Sequence, residues 1–352
     1  MSYWRKWINL RLLQRLILLL LLLSLSLLFF SRYNKRSPQP VIFPPQEPYC
    51  VYFSPEDPLY PHLIYLIQRA KKSIDAAFYK IELKEVSRAL IEAHKKGVRV
   101  RIVTDDLASR SRSSQFSSLC KFGLIKRDKD PESLMHHKFC IIDEEIIWTG
   151  SFNPTSRGAF KENNNVIIIK SPSLAANFEE EFKRLWEDNL PFPSNYYSRR
   201  VWVKGIEVES YFSPEDAVEE AIVKELKEAK KSIHFAIFSF TSSKIANTLI
   251  HKYAENVEIK GILEKDQDNF FSQYHPLAKL KMKVRWDKNF YLMHHKFFVI
   301  DKKVVITGSF NPTRRGAHQN RENLLIIRSP SLAGRYEEEF RRMWKKWYRR
   351  WD

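Results

Sequence analysis

The sequence predicts an α/β protein made of two similar sandwich lobes, preceded by one N-terminal transmembrane helix. An apolar run near the start, a long internal repeat, and alternating helix-like and strand-like patterns within each repeat lead to that prediction. Composition sets the frame. Of 352 residues 44% are apolar and 14% aromatic, a globular balance, and 59 Lys plus Arg against 41 Asp plus Glu leave a charge of +18 that suits an anionic partner. Cys50, Cys120 and Cys140 form no close pair, which excludes a disulfide framework or a cysteine-built zinc site. With nine glycines and no glycine-rich phosphate loop, side chains must do any phosphate binding.

From Leu16 to Phe30 every residue is apolar except Ser24 and Ser26. Counted from Leu12 the run extends roughly 28 Å, close to the hydrocarbon thickness of a bilayer, provided Arg15 snorkels to the interface. Ser31, Arg32 and Tyr33 follow it where a secretory signal would place a small-x-small cleavage site. A retained anchor over residues 1–32 is therefore expected, with a secreted form as the outcome if the segment is cleaved. Arg5, Lys6, Arg11 and Arg15 before the run favour a cytoplasmic N-terminus and a catalytic part outside the cytoplasm, although Arg32, Lys35 and Arg36 follow. Residues 33–48, with five prolines, read as a stiff tether.

The repeat organises the remainder. Phe53-Ser-Pro-Glu-Asp57 returns as Phe212-Ser-Pro-Glu-Asp216, 159 residues later. Leu134-Met-His-His-Lys-Phe139 returns at Leu292–Phe297, and Thr149–Thr155 at Thr307–Thr313, both at an offset of 158. A period this long means duplicated domains. Lobe 1 is expected over residues 49–190, a linker over 191–208 and lobe 2 over 209–352. In lobe 1, residues 58–72 and 83–96 carry helical periodicity while 73–79 and 98–103 read as strands; lobe 2 repeats this at 217–231, 242–255, 232–240 and 257–263. The continuous apolar runs at 139–142, 166–169, 297–300 and 324–327 have the character of central strands in a sheet covered on both faces.

The polar set inside the repeat carries the chemistry. Lobe 1 has His136-x-Lys138, then Asp143, then Gly150-Ser151-x-Asn153; lobe 2 has His294-x-Lys296, Asp301 and Gly308-Ser309-x-Asn311 at identical spacing. Side chains at i and i+2 of a strand share a face, so each histidine is expected beside its lysine. Asp143 and Asp301 fall on the opposite face and are expected to be structural. Nothing in strand packing requires this polar set twice.

This pattern resembles the phospholipase D superfamily, over nearly everything after residue 49. The resemblance implies a phosphodiesterase in which the two lobes pack face to face with pseudo-two-fold symmetry, and both motifs form one active site without metal or cofactor. One histidine would attack phosphorus to give a phosphohistidine while the other protonates the leaving alcohol and then activates water. Lys138 and Lys296 would stabilise the charge on the equatorial oxygens, and Ser151, Asn153, Ser309 and Asn311 would add hydrogen bonds. The family also places an acidic residue downstream to hold each histidine's other nitrogen. Lobe 2 has Glu322; in lobe 1 the aligned position is Asn164, with Glu162 two residues early. Taking each partner within its own lobe, His136 is expected to rest neutral as nucleophile, and His294, backed by Glu322, to rest protonated as acid.

The substrate is open at this level between phospholipid, with water or an alcohol as acceptor, and DNA or RNA. The C-terminal segment tilts the balance to a membrane phospholipid. Read as a helix, Phe340, Met343, Trp344, Trp347, Tyr348 and Trp351 form one apolar stripe backed by basic residues, which suits a lipid interface or packing on lobe 2. Compact lobes resemble the family's small endonucleases and keep nucleic acid as the alternative. Phe152 and Phe310 are candidates to contact bases or acyl chains, or to be core. Asp105-Asp106, with Glu264 and Asp266 as loose counterparts, is expected to be a solvated strand end. Both half-sites in one chain imply a monomer. A tethered binding protein without activity would be expected to have lost a motif residue, and neither lobe has.

Overall fold

The computed structural model describes residues 17–21, 24, 40–41, 43–44, 47–187 and 198–346. Most of the expected anchor, part of the tether and Trp347, Tyr348 and Trp351 lie outside the described residues. Among those described, no helix is long and apolar enough to cross a membrane.

Lobe 1 runs β1 (Tyr49–Ser54), α1 (Leu59–Arg69), β2 (Ser73–Phe78), α2 (Lys84–Lys95), β3 (Arg99–Thr104), α3 (Asp106–Ser109), α4 (Phe116–Cys120) and β4 (Ile125–Arg127). It continues through β5 (Lys138–Ile142), β6 (Ile146–Gly150), α5 (Ser156–Phe160), β7 (Asn164–Lys170) and α6 (Pro172–Trp186). Lobe 2 opens with β8 (Arg200–Val203) and β9 (Ile206–Ser213), then α7 (Val218–Glu228), β10 (Ser232–Ile237), α8 (Ser243–Ala254), β11 (Glu258–Leu263) and α9 (Tyr274–Lys279). It closes with β12 (Lys283–Trp286), β13 (Lys296–Ile300), β14 (Val304–Gly308), α10 (Arg314–His318), β15 (Glu322–Arg328) and α11 (Pro330–Lys346).

The strand order in lobe 1 is β1-β7-β6-β5-β2-β3-β4, and lobe 2 repeats it as β9-β15-β14-β13-β10-β11-β12 with β8 added outside β9. The linker expected over 191–208 is thus already sheet from Arg200. Alternation in Arg200-Val-Trp-Val203, and a Lys204-Gly205 turn in which both residues have positive φ, make a tight hairpin with β9.

Alternate residues of each sheet enter different cores, which explains the continuous apolar runs. In lobe 1, Ile74, Ala76, Phe78, Cys140, Ile142 and Ile168 face α1 and α2, while Phe139, Ile141, Ile147 and Ile167 face α6 and a core shared with lobe 2. In that shared core Phe178 meets Phe212 edge-on at 5.1 Å, and Phe53 meets Tyr336 likewise at 5.1 Å. Two symmetry-related ion pairs rim it, Arg184 to Glu215 at 2.7 Å and Arg342 to Glu56 at 2.5 Å. The C-terminal helix completes it. Phe340 and Met343 are buried, Phe340 stacks on His234 at 4.8 Å, and the Arg285 guanidinium lies over the Trp344 ring. The described part of the C-terminal stripe therefore packs on protein. Phe152 and Phe310 are likewise buried in the lobe cores, which removes them as substrate contacts.

Asp143 and Asp301 stand in the β5–β6 and β13–β14 turns with positive φ. The Asp143 carboxylate accepts from the amides of Lys71, Lys72 and Ser73, and Asp301 from those of Lys230, Lys231 and Ser232. Both anchor the entry of β2 or β10, at the far end of β5 or β13 from the histidines.

Candidate active site

Because β5 runs antiparallel to β2, and β13 to β10, the residues preceding β5 and β13 emerge at the edge where the parallel strands end. Each such segment is held by the other lobe. The His136 amide donates to the Arg321 carbonyl at 2.9 Å, and the His294 amide to that of Asn163 at 2.9 Å. One residue earlier, the Met135 amide donates to Asp105 at 3.2 Å and the Met293 amide to Glu264 at 2.5 Å. Asp105 and Glu264 are buried, not solvated strand ends as expected; they occupy equivalent places with different side chains.

Both histidines line one cleft of about 1580 Å³ between the lobes. Lys138 and Lys296 lie beneath, each donating from Nζ to the carbonyl of its histidine, His136 or His294, at 2.7 Å. Burial pushes Lys138 down to about 7, and burial together with the Lys138 charge holds Lys296 well below the usual ammonium range. Burial and the two lysines also keep His136 and His294 well below the ordinary imidazole value. The cleft is a site that favours an anion.

The second ring nitrogen of each histidine finds its partner across the interface. His294 Nδ1–H donates to Asn164 Oδ1 at 2.9 Å and to the Ser151 carbonyl at 3.0 Å. His136 Nδ1 lies 3.0 Å from Glu322 Oε2. The within-lobe pairing expected from the sequence is therefore corrected: Glu322 of lobe 2 serves His136 of lobe 1 and Asn164 serves His294, so the expectation that Glu322 keeps His294 protonated falls with it. Burial raises Glu322 to about 8 against the pull of Lys138 and Lys296. Glu162 lines the cleft without holding either ring.

The serines act behind the wall, not on its face. Ser151 Oγ donates to Asn164 Oδ1 at 3.0 Å and accepts from the Asn165 amide at 3.0 Å; Ser309 Oγ accepts from the Asn323 amide at 2.9 Å. This departs from the expectation that both hydroxyls reach the phosphate oxygens. Asn153 and Asn311 do line the cleft, and their buried Oδ1 atoms have no hydrogen-bond partner among the described residues. Gly150 and Gly308 are required by close approach: a Cβ would lie 2.2 Å from the Asn165 or Asn323 carbonyl oxygen.

A buried network that sequence reasoning missed ties the half-sites together. His137 Nε2–H donates to Glu181 at 2.8 Å, and its Nδ1 lies 3.4 Å from Asn323 Oδ1, whose amide donates to Thr149 at 2.8 Å. Symmetrically, His295 lies between Glu339 and Asn165, and Asn165 donates to Thr307 at 2.8 Å. The signal was the second histidine and one asparagine, His137 and Asn165, which recur as His295 and Asn323 at the same offset of 158.

Chemically, two imidazoles that face one cavity, each with a partner from the other lobe within 3.0 Å of Nδ1, above two buried lysines, can divide nucleophile and acid–base work at an anionic centre. Among the described residues, no group of three or more His, Cys, Asp or Glu is placed to hold a metal ion. A dialkyl phosphate, a monoanion throughout, is expected to inhibit more weakly as the pH rises above ~7, by about tenfold per pH unit. The sign follows from Lys138 losing its proton near 7 and Glu322 near 8, since both changes remove positive or add negative charge. An inhibition constant that does not change from pH ~6 to ~8 would contradict it.

Comparison with known proteins agrees. The sequence model of a family described as cardiolipin synthase, PLD-like domain, matches residues 63–186 and again 222–344, together more than half of the chain. The chain is 27% identical over 162 residues to a mitochondrial cardiolipin hydrolase of Xenopus tropicalis, covering 46% of this chain and 77% of that protein. It is 34% identical over 130 residues to a phospholipase D of Rickettsia bellii, covering 37% of this chain and 65% of that one. The phosphatidylserine synthase of Haemophilus influenzae shares the fold, with a TM-score of 0.66 at 13% identity over 88% of this chain and 89% of that one. Matched in both lobes by the family model, and with both motifs closing on one cleft, the chain belongs to the phospholipase D superfamily and is a phosphodiesterase of that type.

Proposed function

We propose that the chain hydrolyses the headgroup phosphodiester of a membrane phospholipid through a phosphohistidine, at a membrane to which residues 12–30 hold it, with the lobes outside the cytoplasm and acting as a monomer. The observation that carries this reading is the meeting of His136 and His294, each oriented from the other lobe, in one cleft. The relatives named cardiolipin hydrolase and phospholipase D support the lipid.

His136 is the nucleophile. Its Nε2 forms the bond to phosphorus as the bond to the leaving oxygen breaks, and the phosphorylated ring keeps Nδ1–H and a positive charge, which favours the ionised form of the adjacent Glu322. His294, its Nδ1–H held by Asn164 and Ser151, takes up a proton at Nε2 as the anionic diester binds beside it, and passes that proton to the departing alcohol. Neutral His294 then takes a proton from water, whose oxygen displaces His136 from phosphorus. Lys138 and Lys296, with Asn153 and Asn311, face the phosphoryl oxygens. Nucleic acid is the second reading, favoured by Lys80, Arg157, Lys244, Arg314 and Arg315 along the cleft.

The test is the full chain incubated in chelator with phospholipid vesicles, and separately with labelled DNA and RNA, against a His136→Ala control. Headgroup release that vanishes in the control is the expected result. Cleaved nucleic acid with intact lipid would overturn the lipid substrate, and exchange onto an added alcohol would make the acceptor something other than water.

A further inference from the structure

Lobe 2 exposes three phenylalanines beside the cleft. Phe270 is 94%, Phe271 69% and Phe290 92% exposed, more than any other large apolar side chain among the described residues. Topology places them at the catalytic edge: Phe270 and Phe271 follow the C-terminal end of β11, Phe290 follows that of the parallel β12, and His294 enters β13 from the same edge. Phe271 lines the cleft together with both histidines. The loops that carry them are tied down. The Phe271 amide donates to Asn269 Oδ1 at 2.9 Å, and Gln273 Nε2 donates to the Phe271 carbonyl at 3.2 Å. Asn289, next to Phe290, donates to the Lys161 carbonyl at 3.0 Å and to Asn163 Oδ1 at 2.7 Å.

The repeat supplies an internal control. At the offset of 158, Phe270, Phe271 and Phe290 correspond to Arg112, Ser113 and Glu132 in lobe 1, all exposed. The fold therefore needs no phenylalanine at these places, and water gives no reason to keep three. We infer that Phe270, Phe271 and Phe290 form an apolar lip that enters the acyl layer of a bilayer and sets the cleft mouth against it, an inference that rests on the phospholipid reading above. A one-sided lip suits a diester with one apolar and one polar substituent, whereas a nucleic acid strand crossing the cleft would meet both rims alike. Exposed Lys265, Lys279 and Lys281 in the same segment give it the cations that accompany interfacial aromatic residues.

Two measurements on the full chain test this. In a Cys120→Ser background, which removes the exposed thiol, an environment-sensitive fluorophore is attached at Phe270→Cys or, as control, at Arg112→Cys, and the protein is reconstituted with vesicles brominated in the acyl chains. Quenching at position 270 and none at 112 is expected; no quenching at 270, or equal quenching at both, overturns the lip. In parallel, Phe270→Ser with Phe290→Ser is expected to lower turnover on vesicle lipid by about tenfold or more and to leave a soluble nitrophenyl diester unaffected. Equal loss on both substrates, or loss only on oligonucleotides, also overturns it. If position 270 is quenched while the unmodified chain cleaves the soluble diester and no lipid, the lip stands and the phospholipid reading falls.

Discussion

Replacing His294 by Asn is expected to stop the enzyme after its first chemical step and leave the phosphoryl group on His136. A lipid alcohol is a poor leaving group and needs the proton from His294, so turnover on vesicles should fall by about 10² to 10⁴. Nitrophenolate leaves unaided. With an activated diester the variant should therefore still release about one equivalent of phenolate, and then stall, because the water step has lost its base. The proposed roles rest on the partners of the two rings. His294 Nδ1–H is held by two neutral oxygens, the Asn164 side chain and the Ser151 carbonyl, neither of which stabilises a lasting positive charge on the ring. His136 has the Glu322 carboxyl at 3.0 Å, the partner a phosphorylated imidazolium needs. Trapping radiolabel at His294 in the reciprocal His136→Asn variant, or finding no covalent species in either, would refute the assignment.

Much of this arrangement was legible in the sequence because it is local. Helical periodicity placed α1, α2, α7 and α8 to within a few residues, and the continuous apolar runs at 139–142 and 297–300 gave strands covered on both faces. The motif residues were found because spacing repeats exactly where chemistry is shared. The ring partners were not legible, since which lobe supplies each is decided by how two sheet edges face one another, and sequence proximity favoured Glu322 for His294. The Ser151 and Ser309 hydroxyls were misassigned for a related reason: strand alternation was assumed past Gly150 and Gly308, where the backbone leaves the strand and turns them to the interior. Asp105 and Glu264 were missed because duplication had preserved their task, accepting the amide before each histidine, while changing the side chain.

Glu322→Gln should show the cross-lobe pairing most directly. An isosteric amide keeps the volume but cannot ionise, so kcat/KM is expected to fall about 10- to 100-fold, the range seen when the carboxylate behind a metal-bound histidine is lost. Because Glu322 serves the nucleophile, the loss should appear in formation of the phosphohistidine and be similar for nitrophenyl and alkyl leaving groups. Asn164→Ala should behave differently. It releases His294, so alkyl diesters should suffer and activated ones should be nearly spared in the first step. Had Glu322 stood behind His294, as the order of residues within lobe 2 suggests, the two variants would exchange these patterns. Leaving-group dependence thus reports which lobe orients which ring, a fact the distances of 3.0 Å at His136 and 2.9 Å at His294 already assign across the interface.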